Sequence, residues 1–239
     1  MEERDALEVL QREHALQREV HARAQSSSGR GDGLILFGVG QEQIMAGLAR
    51  LEKACQRSVW SVNPACAYDP EDPSLVLNER SRGRDVDVRL VTSTRAARFH
   101  PLLSSIEPEA RVGPAVLKLL IIDRGTVVVE GPGTASGDST AWVITDRSLL
   151  AEAAALWPVL WKASRPLLAP GQKPPLGQRQ LEVARLMCLG HTDASIARAM
   201  NLSARSVARD IARIMTLTSS RSRPEAVLAI LGRGRHART

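Results

Sequence analysis

The sequence predicts a mixed α/β domain followed by a small all-α domain of four helices. Two observations carry this. Between Gly33 and about Arg165, apolar runs of strand length alternate with amphipathic runs of helix length. Beyond Pro170 the chain divides into short helices and its charge turns strongly basic. At 239 residues and 44% hydrophobic content, there is enough chain for one medium domain and one small one, each with its own core.

Residues 2–25 place Leu7, Val9, Leu10, Leu16 and Val20 among alternating Arg and Glu. This spacing predicts an N-terminal helix over 1–26, rich in i, i+4 ion pairs and able to form a coiled coil. It stops at the flexible break "SSSGRGDG". "LILFGV" then reads as a strand, "QEQIMAGLARLEKACQ" as an amphipathic helix, and "SVWSVN" and "VDVRLVT" as two further strands. A helical "TRAARFHPLLSSI" follows, then strands "LKLLIID", "TVVVE" and "AWVIT", and a closing helix "RSLLAEAAALWPVLWKA". Strands separated by helices of this length mark residues 33–165 as an α/β domain with strands buried on both faces. Residues 166–175 form a linker that Pro174-Pro175 keeps extended.

Composition narrows the setting. Cys55, Cys66 and Cys188 lack Cys-x-x-Cys spacing and no histidine cluster accompanies them, so neither a disulfide framework nor a metal site is expected. The N-terminus is too charged for a signal peptide, and no apolar run is long enough to cross a bilayer. The expectation is a cytoplasmic chain with no cofactor and no membrane partner. The pI is near 9.9 and the net charge +6. From Pro170 onward one lysine and eleven arginines face four acidic residues, about +8, which leaves about −2 for the rest. Such segregation points to a polyanion at the C-terminal end, nucleic acid above all.

Within residues 176–235, Val183, Ala184, Met187 and Cys188 mark the buried face of a first helix that Gly190 ends. Thr192 is the N-cap of a second, with Asp193 at the positive end of its dipole and Ile196, Ala197 and Met200 inward. Asn201 ends it and Ser203 caps a third. At about 100° per residue, Arg205, Arg209 and Arg213 fall within about 80° of one another, roughly opposite Val207, Ile211 and Ile214. Ala208 and Ala212 border the arginine row and keep it narrow, as a helix entering a major groove about 12 Å wide requires. Thr192, Ser203, Arg205, Ser206, Ala208, Arg209, Ala212, Arg213 and Arg221 are therefore the candidate contacts to double-stranded DNA. Ser222-x-x-Glu225 is a capping box for a fourth helix with Pro224 in its first turn.

Residues 176–231 closely resemble the LuxR/GerE-type helix-turn-helix of bacterial transcription regulators. The resemblance rests on Leu176, Arg179, Glu182, Val183, Gly190, Ile196, Ala197, Leu202, Ser203, Val207, Ile214, Ser222, Arg223, Glu225, Ala226 and Val227. It implies a homodimer through the fourth helix, with Val227, Leu228 and Leu231 as its contacts. Asp210 departs from the family pattern, which has histidine there, and "TSS" at 218–220 replaces its "LGV".

One further motif lies upstream. "PAVLKLLIID" fits the spacing His-x-Lys-x-x-x-x-Asp with Val116, Lys118 and Asp123 at the three positions. Phospholipase D chemistry needs the histidine nucleophile and a second copy of the motif. Val116 cannot attack phosphorus, and no other histidine has lysine two residues on. The order of elements over 33–165 resembles a degenerate phospholipase D-like sandwich of TrmB-type regulators, which implies sensing of an unknown small-molecule effector, or dimerisation, in place of catalysis. The alternative is a phosphodiesterase or nuclease with a basic DNA-binding tail. A phosphoreceiver is not supported, since no acidic pair follows "LILFGVGQ". Nor is an acyl-homoserine-lactone pocket, because Tyr68, Trp60 and Trp142 are scattered along the chain.

Overall fold

The computed structural model describes residues 3–26 and 29–233, so the last two positions of the expected 176–235 domain lie outside the described chain. In chain order the elements begin with α1 (Glu3–Ser26), β1 (Arg30–Gly31), β2 (Leu34–Val39), α2 (Gly40–Ala54), β3 (Ser58–Asn63) and α3 (Pro73–Arg82). Then come β4 (Asp87–Ser93), α4 (Thr94–Phe99), α5 (Leu103–Ile106), β5 (Arg111–Gly113), β6 (Leu119–Ile122), β7 (Thr126–Glu130) and β8 (Thr140–Ile144). The chain closes with α6 (Arg147–Ala163), β9 (Arg165–Pro166), α7 (Gln178–Cys188), α8 (Asp193–Ala199), α9 (Ala204–Leu217) and α10 (Arg223–Ile230).

These elements form two compact units. The first comprises Met1–Pro64, Pro73–Ser93 and Arg111–Arg165; the second comprises Ala65–Asp72, Thr94–Ala110 and Pro166–Thr239. The expected α/β stretch 33–165 is thus interrupted twice, and two of its segments pack with the C-terminal helices.

In the first unit the strands form a mixed sheet in the order β1-β2-β8-β7-β6-β3-β4-β5-β9. β3 sits centrally, antiparallel to β6 and parallel to β4, which it reaches through α3. Val62, Val91, Ile121 and Val129 lie in one buried cluster with residues of α1 and α6. The alternate positions Val59 and Ile122 pack with Leu51 of α2 in another. Alternation of side chains along each strand therefore supplies both layers, as the apolar runs require. α6 is capped by Asp146, whose carboxylate accepts from the Leu149 amide at 2.9 Å.

α1 packs along α6. Its Val9, Leu16, Val20 and Ala24 are buried in the sheet domain's own core. The stripe read as a coiled-coil seam is thus spent within its own unit. The same stripe holds Glu13, 0% exposed. Its Oε2 accepts from the Val116 amide at 3.0 Å while Oε1 has no hydrogen-bond partner. Burial pushes this carboxyl up to about 7, against the opposing pull of the Val116 and Leu117 amides.

A carboxyl whose folded pKa lies above its unfolded value holds its proton more tightly in the folded state. Its contribution is complete below about 4.5 and is lost as pH rises through 7. Glu13→Gln is expected to stabilise the protein above neutrality, by up to roughly 3 kcal/mol, and to leave acid stability unchanged. Urea melts at a series of pH values check this, and an identical pH dependence in the two proteins would refute it.

Candidate nucleic-acid interface

The second unit is built around α9. Val207, Ile211 and Ile214 are buried in a cluster with Val183, Ala184 and Met187 of α7 and Ile196 of α8. Leu186 belongs to the same core, and the periodicity reading had not included it. Local chemistry fixes the helix ends. Gly190 takes a left-handed φ of 84° after α7, and Asn201 one of 52° after α8. The Thr192 hydroxyl accepts from the Ser195 amide at 3.2 Å, and the Ser203 hydroxyl accepts from the Ser206 amide at 3.1 Å.

α9 presents Arg205, Ala208, Arg209 and Ala212 to solvent on the side opposite its core. Among the described residues neither the Arg205 nor the Arg209 side chain makes a hydrogen bond or salt bridge, although the Arg209 charge also favours the Asp210 carboxylate. Arg213 differs from the expected three-arginine row. Its Nε and Nη2 donate to the Pro175 carbonyl at 3.0 and 2.7 Å, so its guanidinium is committed to the stretch before α7. That carbonyl needs a donor, and arginine's planar fork supplies two. Thr192 and Arg221 are exposed, while the Ser203 and Ser206 hydroxyls also meet each other at 3.0 Å.

What orients α9 is a residue seen in the sequence only as a departure. Asp210 is 1% exposed. Arg179 donates to it through Nε at 2.9 Å and Nη2 at 3.0 Å, and Gln180 Nε2 donates at 3.1 Å. Burial works against ionisation, yet Arg179 and Gln180 together hold the carboxyl below its ordinary range. Gln180 also accepts the Gly177 amide at 2.8 Å, so the first turn of α7 is fastened to α9 from both ends of one side chain. The sequence signal was available: Asp210 lies between the arginine row and the core, where a lone carboxylate needs a cation.

α10 begins as expected at Ser222, whose hydroxyl accepts from the Glu225 amide at 3.4 Å. The reciprocal half of the capping box is shifted, since Glu225 Oε2 accepts from the Arg221 amide at 2.8 Å. Arg223 donates to the His191 carbonyl and lies 3.6 Å from Asp193, anchoring α10 to the turn between α7 and α8. Leu228 is 46% exposed, with Val227 and Leu231 half-buried beside it.

Two segments complete this core from far away in sequence. Leu102, 0% exposed, is a member of the same cluster, with Tyr68 and Ile106 packed against it. The Leu176 amide donates to Ser105 Oγ at 3.1 Å. Tyr68 meets His100 edge-on at 5.6 Å, and burial pushes that imidazole down to about 4, so it is neutral at ordinary pH. "TRAARFHPLLSSI" accordingly splits into α4 and α5 around His100-Pro101 and serves the helical unit.

The motif residues Val116, Lys118 and Asp123 do not converge. Val116 and Lys118 are exposed before β6. Asp123 follows it, so Lys118 and Asp123 are separated by roughly 16 Å of extended chain. Asp123 accepts the Gln56, Arg57 and Ser58 amides at 3.0, 2.7 and 2.9 Å. Partial burial opposes ionisation, but these amides hold its carboxyl below the usual range. It is a clasp for the entry into β3. Among the described residues no group of three or more His, Cys, Asp or Glu could hold a metal ion, and no helix is long and apolar enough to cross a membrane.

Arg179→Ala leaves a buried carboxylate short of its cation. It is expected to destabilise the helical unit by about 1.5–3 kcal/mol. Leu102→Ala is expected to cost that unit roughly 2–5 kcal/mol, although Leu102 lies more than seventy residues before α7. Hydrogen exchange of α7 and α9 amides reads both, and unchanged protection in Leu102→Ala would show that the core does not rely on it.

Residues 174–230 match the family model GerE, bacterial regulatory proteins of the luxR family. No curated protein matches the sequence. Among solved structures, TrmBL2, an archaeal chromatin protein with a novel mode of DNA binding, is 13% identical with a TM-score of 0.44. The match covers 69% of this chain and 66% of that one, just under two thirds of its length. Nuc from Salmonella typhimurium, a phospholipase D family member, is 17% identical with a TM-score of 0.40, covering 56% of this chain and 97% of that one. NucT from Helicobacter pylori is 12% identical with a TM-score of 0.43, covering 56% and 98%. The capped helices, the buried face of α9 and the family match together identify residues 174–230 as a luxR-type helix-turn-helix domain.

Proposed function

We propose that this chain is a sequence-specific DNA-binding transcription regulator, not an enzyme, and that it acts as a homodimer in the cytoplasm. The observation that carries the reading is the α9 surface, where Arg205 and Arg209 stand exposed and unpaired on a helix whose opposite side is core. Such a helix lies in the major groove with its N-terminal half toward the bases. Arg205 and Arg209 then pair with guanine or grip phosphate, and Ala208 and Ala212 reach thymine methyls. The first turns of α8 and α9, at Thr192, Ser203 and Ser206, face backbone phosphates together with Arg221. Leu228, with Val227 and Leu231, supplies the dimer contact on α10, and a C2 pair of recognition helices reads a two-fold operator.

The α/β domain serves signal response or dimerisation. Val116 offers no nucleophile, and the Asp123 carboxylate is occupied by three amides, which supports a regulatory role over phosphodiester chemistry.

Mobility-shift titrations against genomic fragments test this. Arg209→Ala is expected to weaken binding by roughly 1–3 kcal/mol and relax specificity if it reads a base, or to lower the salt slope by about one unit if it holds phosphate. Arg213→Ala is expected to matter less for affinity, since its guanidinium serves the Pro175 carbonyl. Sequence-specific binding that survives Arg209→Ala intact would remove α9 as the reading helix.

A further inference from the structure

Three of the chain's four tryptophans gather on one face of the α/β unit: Trp157 and Trp161 lie one turn apart on α6, and Trp60 joins them from β3. Trp60 on β3 stacks on Trp157 of α6 at 5.3 Å with planes 12° apart, and Trp157 stacks on Trp161 at 5.5 Å. Three arginines interleave with these rings. Arg89, paired with Trp60 across β3 and β4, lies 5.5 Å from the Trp60 centroid and 5.0 Å from that of Trp161. Arg111 lies 4.9 Å from Trp161, and Arg124, on the turn between β6 and β7, lies 4.8 Å from Trp60.

The charges on this face are unevenly matched. Asp87 takes the Trp60 indole N–H at 3.0 Å and Arg89 at 2.8 Å, so Arg89 is neutralised in place. Arg111 donates only to the neutral Ser164 carbonyl. Arg124 is exposed and, among the described residues, has no hydrogen-bond or carboxylate partner. Two cations therefore lack a counter-charge beside half-buried indoles. Trp157 and Trp161 stack on each other, and Arg89 and Arg111 both lie over Trp161. Trp60 has Trp157 stacked on it, with Arg89 at 5.5 Å and the exposed, unpaired Arg124 nearest its ring at 4.8 Å.

We propose that this face binds one free nucleotide, its base stacked on Trp60 in place of the Arg124 side chain and its phosphate paired with the Arg124 guanidinium. A planar ring gains the stacking surface that the arginine gives up, and the displaced cation meets the anion attached to that ring. One accessible indole face accommodates one base, whereas a single-stranded nucleic acid needs a succession of stacking platforms. The site is built from the α/β unit alone and stands whether or not α9 binds DNA. If both hold, a nucleotide is the effector to which the α/β domain responds.

Calorimetric titration of the full chain with AMP, GMP, CMP and TMP, with tryptophan emission followed in parallel, tests the site. At least one mononucleotide is expected to bind saturably and quench emission. Adenosine and inorganic phosphate, each holding half of the ligand, are expected to bind at least about tenfold more weakly. Arg124 has a left-handed φ of 59°. Arg124→Asn keeps that backbone accessible while removing the cation; it is expected to melt with wild type, weaken nucleotide binding about tenfold and leave the DNA mobility shift unchanged. Arg124→Lys is expected to recover part of the affinity. The proposal falls if no mononucleotide binds saturably, or if Arg124→Asn binds as wild type. A short oligothymidylate binding far more tightly than TMP would also overturn the single-nucleotide assignment.

Discussion

The buried carboxylate of Asp210 is the constraint on which the helical domain depends. A charge at 1% exposure is tolerated only where hydrogen bonds and a counter-charge meet it. Here the Arg179 fork and the Gln180 amide converge on it from the first turn of α7. Apolar packing among Val183, Val207, Ile211 and Ile214 sets which side of α9 faces α7. The directional bonds to Asp210 fasten that rotation to the first turn of α7. Because α9 is one rigid cylinder, the packing and these bonds together hold Arg205 and Arg209 toward solvent.

Carboxylates act as joints elsewhere in the chain, with different electrostatic outcomes. Asp123 gathers three amides at the start of β3 and stays readily ionised. Glu13 has amides alone, one oxygen without a partner and full burial, so it favours the proton. The comparison separates two regimes of one functional group. Abundant donors keep the charge, as at Asp123 and Asp210, whereas burial with few donors suppresses it.

Much of the architecture was legible where periodicity runs long enough to register. "LILFGV", "SVWSVN" and "TVVVE" are the strands β2, β3 and β7, and "RSLLAEAAALWPVLWKA" is α6 from end to end. α3 was missed, since "PSLVLNERSR" alternates too irregularly to show a helical stripe. β1, β5 and β9, at two or three residues each, are too short for any period. The predicted helix across His100-Pro101 breaks because proline pushes the preceding residue out of the helical region. In the candidate interface, the caps at Thr192, Ser203 and Ser222 and the exposure of Arg205 and Arg209 were readable from spacing.

By itself the sequence determined what local rules govern: which segments are helix or strand, where helices start and stop, and which side of α9 is apolar and which cationic. These follow from backbone geometry repeated every two or about 3.6 residues. The tertiary structure alone decided how the polar groups were spent. Arg213, still exposed on α9, spent its guanidinium on the Pro175 carbonyl, Asp210 became the partner of Arg179, and Leu102 entered a core whose other members lie more than seventy residues on. Trp60, nearly a hundred residues upstream, joined Trp157 and Trp161 in one stacked face. Each pairing joins positions brought near only by folding, and no one-dimensional period encodes that distance.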